Sequence, residues 1–335
     1  MKFIHMADCH LSDDFSFDNS NGDKIRTFNK KSFYTILDQN KNVDFLMISG
    51  DLYERNYFTL SDFYDLFDKI EEFGKDIFYI AGNHDYLDSK NMAILKNKPN
   101  NFYIFPTDDW QYFEFGNTRI YGRSYDDRLI NYEFDYDISL DKDYFNILLA
   151  HGDINTENSS YLNMDIGRLK QMGFDYVGLG HIHKRENFGD NIYYAGSIEP
   201  HDFSDIYDYG YILYEDGCIF EKNSSFMKFF DLKIKSEEFI SDDDIVAYIN
   251  SKLEDKYNFV RLTLDKNLDR KYIDMIGAGY IDLKIEEKND IESLVEFFPN
   301  SLLEKYLNKF GKNLDYIEKR ALKIGLDAIY RSKDE

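Results

Sequence analysis

Tyr79-Ile80-Ala81-Gly82-Asn83-His84-Asp85 is an apolar run that stops at a glycine and gives way to three polar side chains able to bind metal or move protons. Such a run reads as a buried strand that delivers a loop. Four other stretches share this form. Asp8-Cys9-His10, Gly50-Asp51, His151-Gly152-Asp153 and Gly180-His181-Ile182-His183 each follow a short apolar segment. Five strand ends therefore deliver hard ligands to what could be one site.

Outward from these ends, helical periodicity fills the gaps. Phe28, Phe33, Ile36 and Leu37 sit at roughly helical spacing, and Leu60, Phe63, Tyr64, Phe67 and Ile70 do so more clearly behind a Thr59/Ser61 start signal. Strand, helix, strand, helix, strand predicts an α/β fold. After residue 100, Phe102 to Phe105, Trp110 to Phe115 and Arg119 to Gly122 read as antiparallel strands, and the acidic span 126–143 reads as a loop or lid. A helix over 164–172 and strands at 192–195, 209–214 and 218–222 would complete a second sheet. Two packed sheets flanked by helices is the implied architecture.

Beyond about residue 228 the polar strand-end pattern ceases. Strands at Phe229 to Lys235, Val260 to Leu264 and Tyr280 to Ile285, with a helix after Ser241, predict a small α/β domain over 229–290. In the 291–335 tail, Ser301 caps a helix through Phe310 that Gly311 ends, and Asn313 starts another carrying Leu314, Ile317, Ala321, Leu322, Ile324 and Ile329. That pair either packs on its own domain or binds a partner.

The 335 residues and 43% hydrophobic content suffice for a large domain plus a smaller one. Nothing at the N-terminus resembles a signal peptide and no apolar run approaches a membrane span, so a cytoplasmic protein with no membrane association is expected. Two cysteines, Cys9 and Cys218, exclude a thiolate cage built from this chain, so a metal must use His, Asp and Asn. The net charge of -23 opposes nonspecific attraction to a polyanion, unless cations, a basic patch or a partner offset it.

Imidazole mixed with carboxylate suits Mn, Fe or Zn better than Mg or Ca. Asp8 and His10 form an i, i+2 pair that strand alternation would aim to one face, as would His181 and His183. Five of the seven histidines, His10, His84, His151, His181 and His183, fall in these blocks; only His5 and His201 lie outside, and His5 reads as structural.

As a set, Asp8-Cys9-His10, Gly50-Asp51, Gly82-Asn83-His84-Asp85, His151-Gly152 and Gly180-His181-Ile182-His183 resemble the motifs of calcineurin-like metallophosphoesterases over about residues 1–225. The resemblance implies a four-layer αββα sandwich with two divalent metals bridged by an aspartate. One metal would take Asp8, His10, Asp51 and His183; the other would take Asp51, Asn83, His151 and His181. Two such cations bind phosphate oxygens and lower the pKa of a shared water. His84, left over as a ligand, is then placed to act as general acid on the leaving alkoxide, with Asp85 to orient it.

Within that superfamily, the small α/β domain, read as a capping domain, and the helical tail, including Arg320 to Ile329, resemble SbcD-type DNA-repair exonuclease subunits. That likeness implies a manganese-dependent nuclease acting on DNA, a homodimer, and docking of an SMC-like coiled-coil ATPase on the C-terminal helices; Mg, Fe or Zn are alternative metals. Two departures stand out: Glu54 occupies a position where relatives carry His or Asp, and Arg55 stands where protein serine/threonine phosphatases have a phosphate-clamping arginine. Arg55 and the Lys184-Arg185 pair are the expected substrate contacts, with Arg123 and Arg128 extending a phosphate track. The other reading is a phosphoesterase acting on a phosphoprotein or a small nucleotide.

Overall fold

The computed structural model describes residues 1–13, 19–130, 132–286, 301–310 and 316–331. Its chain starts with β1 (Lys2–Met6), α1 (Asn19–Gln39), β2 (Phe45–Ser49), α2 (Leu60–Phe73), β3 (Asp76–Ile80), α3 (Ser89–Leu95) and β4 (Phe102–Ile104). Next come β5 (Gln111–Phe115), β6 (Thr118–Gly122), β7 (Phe145–His151), β8 (Asp153–Ile154), β9 (Asn163–Met164) and α4 (Ile166–Met172). β10 (Tyr176–Gly180), β11 (Glu186–Asn187), β12 (Ile192–Tyr194), β13 (Gly210–Glu215) and β14 (Cys218–Asn223) follow.

These strands form two six-stranded sheets, ordered β14-β13-β1-β2-β3-β4 and β11-β12-β10-β7-β6-β5, plus a short β8-β9 pair. β1, β2, β3 and β4 are mutually parallel, and so are β6, β7, β10 and β12. Two expectations about pairing fail. β13 and β14 do not extend the second sheet, because β13 pairs antiparallel with β1, setting Phe3 opposite Tyr214. Nor is β4 antiparallel: it adds to β3 in parallel, and of the three runs between residues 102 and 122 just β5 and β6 pair as a hairpin. Local sequence shows that a strand exists but not which distant edge it meets.

Side-chain alternation along the strands divides the core. Phe3, Phe45, Met47, Phe78 and Ile80 share one cluster with Ile120, Ile147, Leu149 and Tyr176 of the second sheet. Their neighbours Ile4, Leu46, Ile48, Ile77 and Tyr79 instead join Phe33, Ile36 and Leu37 of α1 and Phe63, Leu66 and Ile70 of α2. On the second sheet, Leu148, Val177 and Leu179 pack with Leu169 of α4. Strands covered on both faces read as nearly continuous apolar runs, as Phe45 to Ile48 of β2 do. Helix α2 has both ends fixed locally: Thr59 and Asp62 form a reciprocal capping box, and Gly74 closes the helix at φ 70.

Glu199, after β12, is fully buried. Its carboxylate accepts from the Ser32 hydroxyl of α1 and from the N–H groups of Phe226 (2.6 Å) and Met227 (2.9 Å). Burial pushes its pKa up to about 8, against these donors, which lower it. The folded chain thus holds the proton more tightly than the unfolded one, so this contribution to stability is full below about pH 4.5 and is lost as pH rises through about 8. Urea unfolding is expected to show stability falling by a few kcal/mol, on the order of 3–5, between pH 5 and 9. Glu199→Gln is expected to flatten that slope; an unchanged slope would assign it to other groups.

The chain divides into two compact units, residues 1–230 with 254–259, and 231–253 with 260–335. β15 (Met227–Ile234), α5 (Asp242–Lys252), β16 (Tyr257–Leu264), α6 (Arg270–Ile273) and β17 (Tyr280–Ile285) give a three-stranded sheet ordered β15-β16-β17. In the tail, α7 (Leu302–Leu307) is capped by Ser301 and packs on α8 (Tyr316–Arg331), joining Leu303 and Leu307 to Leu322, Leu326 and Ile329. The expected helix stop at Gly311 and start at Asn313, with Leu314, lie outside the described residues. Among the described residues no helix is long and apolar enough to cross a membrane.

Candidate metal centre

The loops that leave β1, β2, β3, β7 and β10 converge at the C-terminal ends of the parallel strands. The backbone there is unusual. Asp8 (φ 50), His10 (φ 44), Asp51 (φ 53) and His181 (φ 101) all adopt left-handed conformations that residues other than glycine rarely take. Strain of this kind persists only where surrounding structure imposes it, and it concentrates at functional sites. Here the Asp8 N–H donates to the Gly50 carbonyl at 3.1 Å and the His10 N–H to the Asp51 carbonyl at 3.0 Å.

This geometry corrects the strand-alternation argument. β1 ends at Met6 and β10 at Gly180, so Asp8, His10, His181 and His183 lie beyond the strands and are aimed by turns. The two C-terminal histidines in fact diverge. The His181 ring is 5.2 Å from that of His151, whereas the His183 ring is 5.3 Å from that of His10.

Asp51 is the centre of the arrangement. It is 2% exposed, and its Oδ2 lies 3.3 Å from His151 Nε2 and 3.8 Å from His10 Nε2. Its Oδ1 accepts the His84 N–H at 2.8 Å. His10, Asp51 and His84 form one group of potential ligands, and Asp51, His151 and His181 form another. Asn83 Oδ1 sits 2.9 Å from His151 Nε2 and 3.1 Å from His181 Nδ1. Asp8 is fully buried, with both carboxylate oxygens 3.1 Å from the His181 N–H. A β-carbon at Gly82 would collide with the Asp51 carboxylate and the His151 ring, so the loop needs glycine to approach this closely.

His151 provides the test of whether these residues suit a metal. Its Nδ1–H donates to the Ser49 carbonyl at 2.8 Å, which leaves Nε2 of the neutral ring as a lone-pair donor. Burial acts against a further proton on this ring, but Asp51 favours one in the absence of metal; a cation that displaces that proton would meet the Nε2 lone pair, Asn83 Oδ1 and Asp51 Oδ2 together in a buried place. A divalent cation satisfies such a set of nitrogen and oxygen donors. The residues fit the group.

His84 has a different partner from the expected one. Its Nδ1 is 2.5 Å from Glu54 Oε2, and Glu54 is almost wholly buried. Burial acts to lower the His84 pKa, but the Glu54 hydrogen bond and the Asp51 charge outweigh it and hold the imidazole up to about 9. Asp85 does not orient His84. It accepts from the N–H groups of Leu52 (2.5 Å) and Gly82 (2.6 Å) and from the Tyr79 hydroxyl (2.6 Å), stapling the β2 and β3 loops together. A carboxylate carrying these bonds has no oxygen left to steer the imidazole.

The expected substrate contacts are mostly engaged elsewhere. Arg55 pairs with Asp88 at 2.5 Å and stacks on Tyr86, 3.7 Å from the ring centroid. Arg185 reaches Glu221 at 3.3 Å and Asn223 at 3.1 Å, with its side chain 7% exposed. Arg123 donates to the Thr107 carbonyl and covers Tyr132. Lys184 is exposed, with its ammonium 4.9 Å from the Tyr207 ring centroid.

Four residues join the site that the motif reading did not assign to it. Glu54 was visible only as a departure from a pattern. Asp153, 3.6 Å from His181 Nε2, stands in the His151-Gly152-Asp153 strand end, but the family resemblance gives it no role. Asp205, 3.5 Å from His183 Nδ1, has no signal in the sequence. His201 could have been found by asking why a chain with so few histidines keeps one beyond the last motif; it is 3% exposed and packs on His10 and His183. His5, by contrast, is a satisfied core histidine, with Nδ1 3.0 Å from the Tyr176 hydroxyl and Nε2 3.0 Å from Ser49 Oγ.

Comparison with known proteins gives three findings. A family model described as calcineurin-like phosphoesterase matches residues 1–185. An uncharacterized metallophosphoesterase, YhaO of Bacillus subtilis (strain 168), is 29% identical over 234 residues, a match covering 64% of this chain and 57% of that protein. This chain therefore spans little more than half the length of that relative. A solved structure aligns at 11% identity with a TM-score of 0.40, covering 67% of this chain and 99% of its own.

Proposed function

This chain belongs to the calcineurin-like phosphoesterase family, and from that premise we propose that it is a two-metal phosphodiesterase acting on DNA. Asp8, His10, Asp51 and His183 would hold one ion; Asp51, Asn83, His151 and His181 would hold the other. When bound, the cations supply Lewis-acid stabilisation of phosphoryl charge and an acidified water.

The observation that carries the reading of a phosphoesterase for alkoxide leaving groups, of which a DNA diester is one, is the His84–Glu54 pair. A nucleotide leaves as an alkoxide, which is too basic to depart without a proton. Glu54 fixes His84 Nδ1 and favours the charged ring, so Nε2 becomes the nitrogen that gives its proton to the leaving oxygen. Ser49 keeps His151 in the tautomer that presents Nε2, and Asp85 fixes the loop from which Asn83 and His84 project. Of the two features favouring the other phosphoesterase reading, the acidity and Arg55, the engagement of Arg55 with Asp88 and Tyr86 weakens the second.

The finer parts of the proposal follow the SbcD-type resemblance. The two sheets and their helices are read as an αββα sandwich and residues 229–290 as a capping domain. The chain would work as a homodimer in the cytoplasm, with an SMC-like ATPase on the tail helices. Leu302, Ile317 and Ile324, exposed on those helices, support that docking role. With a net charge of -23, the chain is expected to need its cations or partner to hold DNA.

The test is one panel: purified protein with Mn or Mg, alone and with the ATPase, on single- and double-stranded DNA, a phosphopeptide and a cyclic nucleotide. Manganese-dependent DNA cleavage is the expected result. Turnover of the phosphopeptide or cyclic nucleotide with none of DNA would replace the nuclease reading.

A further inference from the structure

We propose that His201 is an additional ligand at the His10 end of the metal centre, giving the ion there a face of three imidazoles, from His10, His183 and His201. The inference rests on the two-metal reading above and assigns a residue outside its ligand set.

The three rings surround a common point. His201 lies 4.1 Å from His183 and 4.7 Å from His10, centroid to centroid, with interplanar angles of 72° and 87°; His10 and His183 are 5.3 Å apart at 69°. All three pairs pack edge to face. One nitrogen from each ring lies within 4.8 Å of the other two. Ligand nitrogens at about 2.0–2.1 Å from a metal are roughly 3.0–3.4 Å apart, so closure requires side-chain movement of at most about 2 Å.

The segment carrying His201 is fastened to His183. The Ser197 N–H donates to the His183 carbonyl at 3.0 Å, and Gly196, at φ 70, lies so close to that carbonyl that a β-carbon would clash. Asp205 connects the two histidines: its Oδ2 accepts the backbone N–H of His201 at 2.9 Å and lies 3.5 Å from the ring nitrogen Nδ1 of His183. A carboxylate behind a ligating imidazole fixes the tautomer and directs the other ring nitrogen to the metal. His5 shows what a structural histidine looks like in this chain: it sits between a hydroxyl on each side, away from any imidazole cluster.

The chemical consequence concerns which ion is held. Imidazole suits Fe(II), Co(II) and Zn(II), whereas Mg and Mn favour carboxylate and water. A third imidazole therefore biases this end toward Zn or Fe and away from Mg.

The test compares metal-stripped full chain with His201→Gln and His201→Phe, the latter retaining a ring to pack on His10 and His183. Folding is checked by circular dichroism. Co(II) absorption reports the ligand field, and Zn against Mn competition, read by elemental analysis, reports selectivity. Both variants are expected to lower Zn affinity at one site by about 10- to 100-fold, to reduce the Zn-over-Mn preference, and to alter the Co(II) spectrum. Folded variants with the wild-type spectrum and Zn affinity overturn the assignment while leaving the two-metal centre intact. A wild-type chain that takes up no cation overturns both.

Discussion

Asp51→Asn is expected to abolish uptake of both cations and to lower phosphodiester turnover by about 1,000-fold or more, equivalent to roughly 4 kcal/mol of transition-state stabilisation. Asp51 is the one residue common to the His10–His84 group and the His151–His181 group. The amide can still accept the His84 N–H, so the β3 loop should keep its path. What disappears is the negative charge facing His151 and His10. Burial acts to raise the Asp51 pKa, but His151, His10 and His84 outweigh it and hold the carboxyl below its usual range, so the variant loses a paired charge and should be less stable than wild type even without metal. Thermal unfolding with and without Mn separates the two effects. Wild type should gain stability on adding metal and the variant should not; a variant that keeps the metal-dependent shift would refute the bridging role.

His84→Gln is expected to leave metal uptake intact and to slow cleavage of substrates with alkoxide leaving groups by about 100- to 10,000-fold. A nitrophenyl diester, whose leaving group departs without a proton, should lose far less. This leaving-group dependence distinguishes a proton donor from a residue that merely shapes the pocket. Glu54→Gln should show the same dependence more weakly. Because Glu54 raises the His84 pKa, its removal should also move the alkaline limb of the rate profile to lower pH. If the Glu54 variant matched wild type in both respects, the 2.5 Å contact would be without catalytic consequence. Equal losses on both substrate types would remove His84 from the acid role.

Much of this site could be read from the chain because strands announce their ends. Five apolar runs stop at Gly, Asp, Asn or His, and the loops after them do meet. Alternation within a strand was not a guide to where Asp8 and His10 point, since both lie past β1 in left-handed backbone. Charged residues near the motifs were a poor guide as well. Arg55 and Arg185 stand beside ligand positions in sequence, yet their guanidinium groups are held by Asp88, and by Glu221 and Asn223.

The sequence by itself determined the kind of chemistry, because metal-ligating residue types placed at strand ends follow from local composition, and local composition is what a sequence displays. Tertiary structure alone decided who serves whom. Glu54 rather than Asp85 holds His84, Asp205 stands behind His183, and His201 joins His10, each across many residues of chain. Hydrogen bonds and ring contacts of this kind depend on the register of β1, β2, β3 and β10 and on turns with positive φ. Those are fixed by packing between distant segments, which no local pattern encodes.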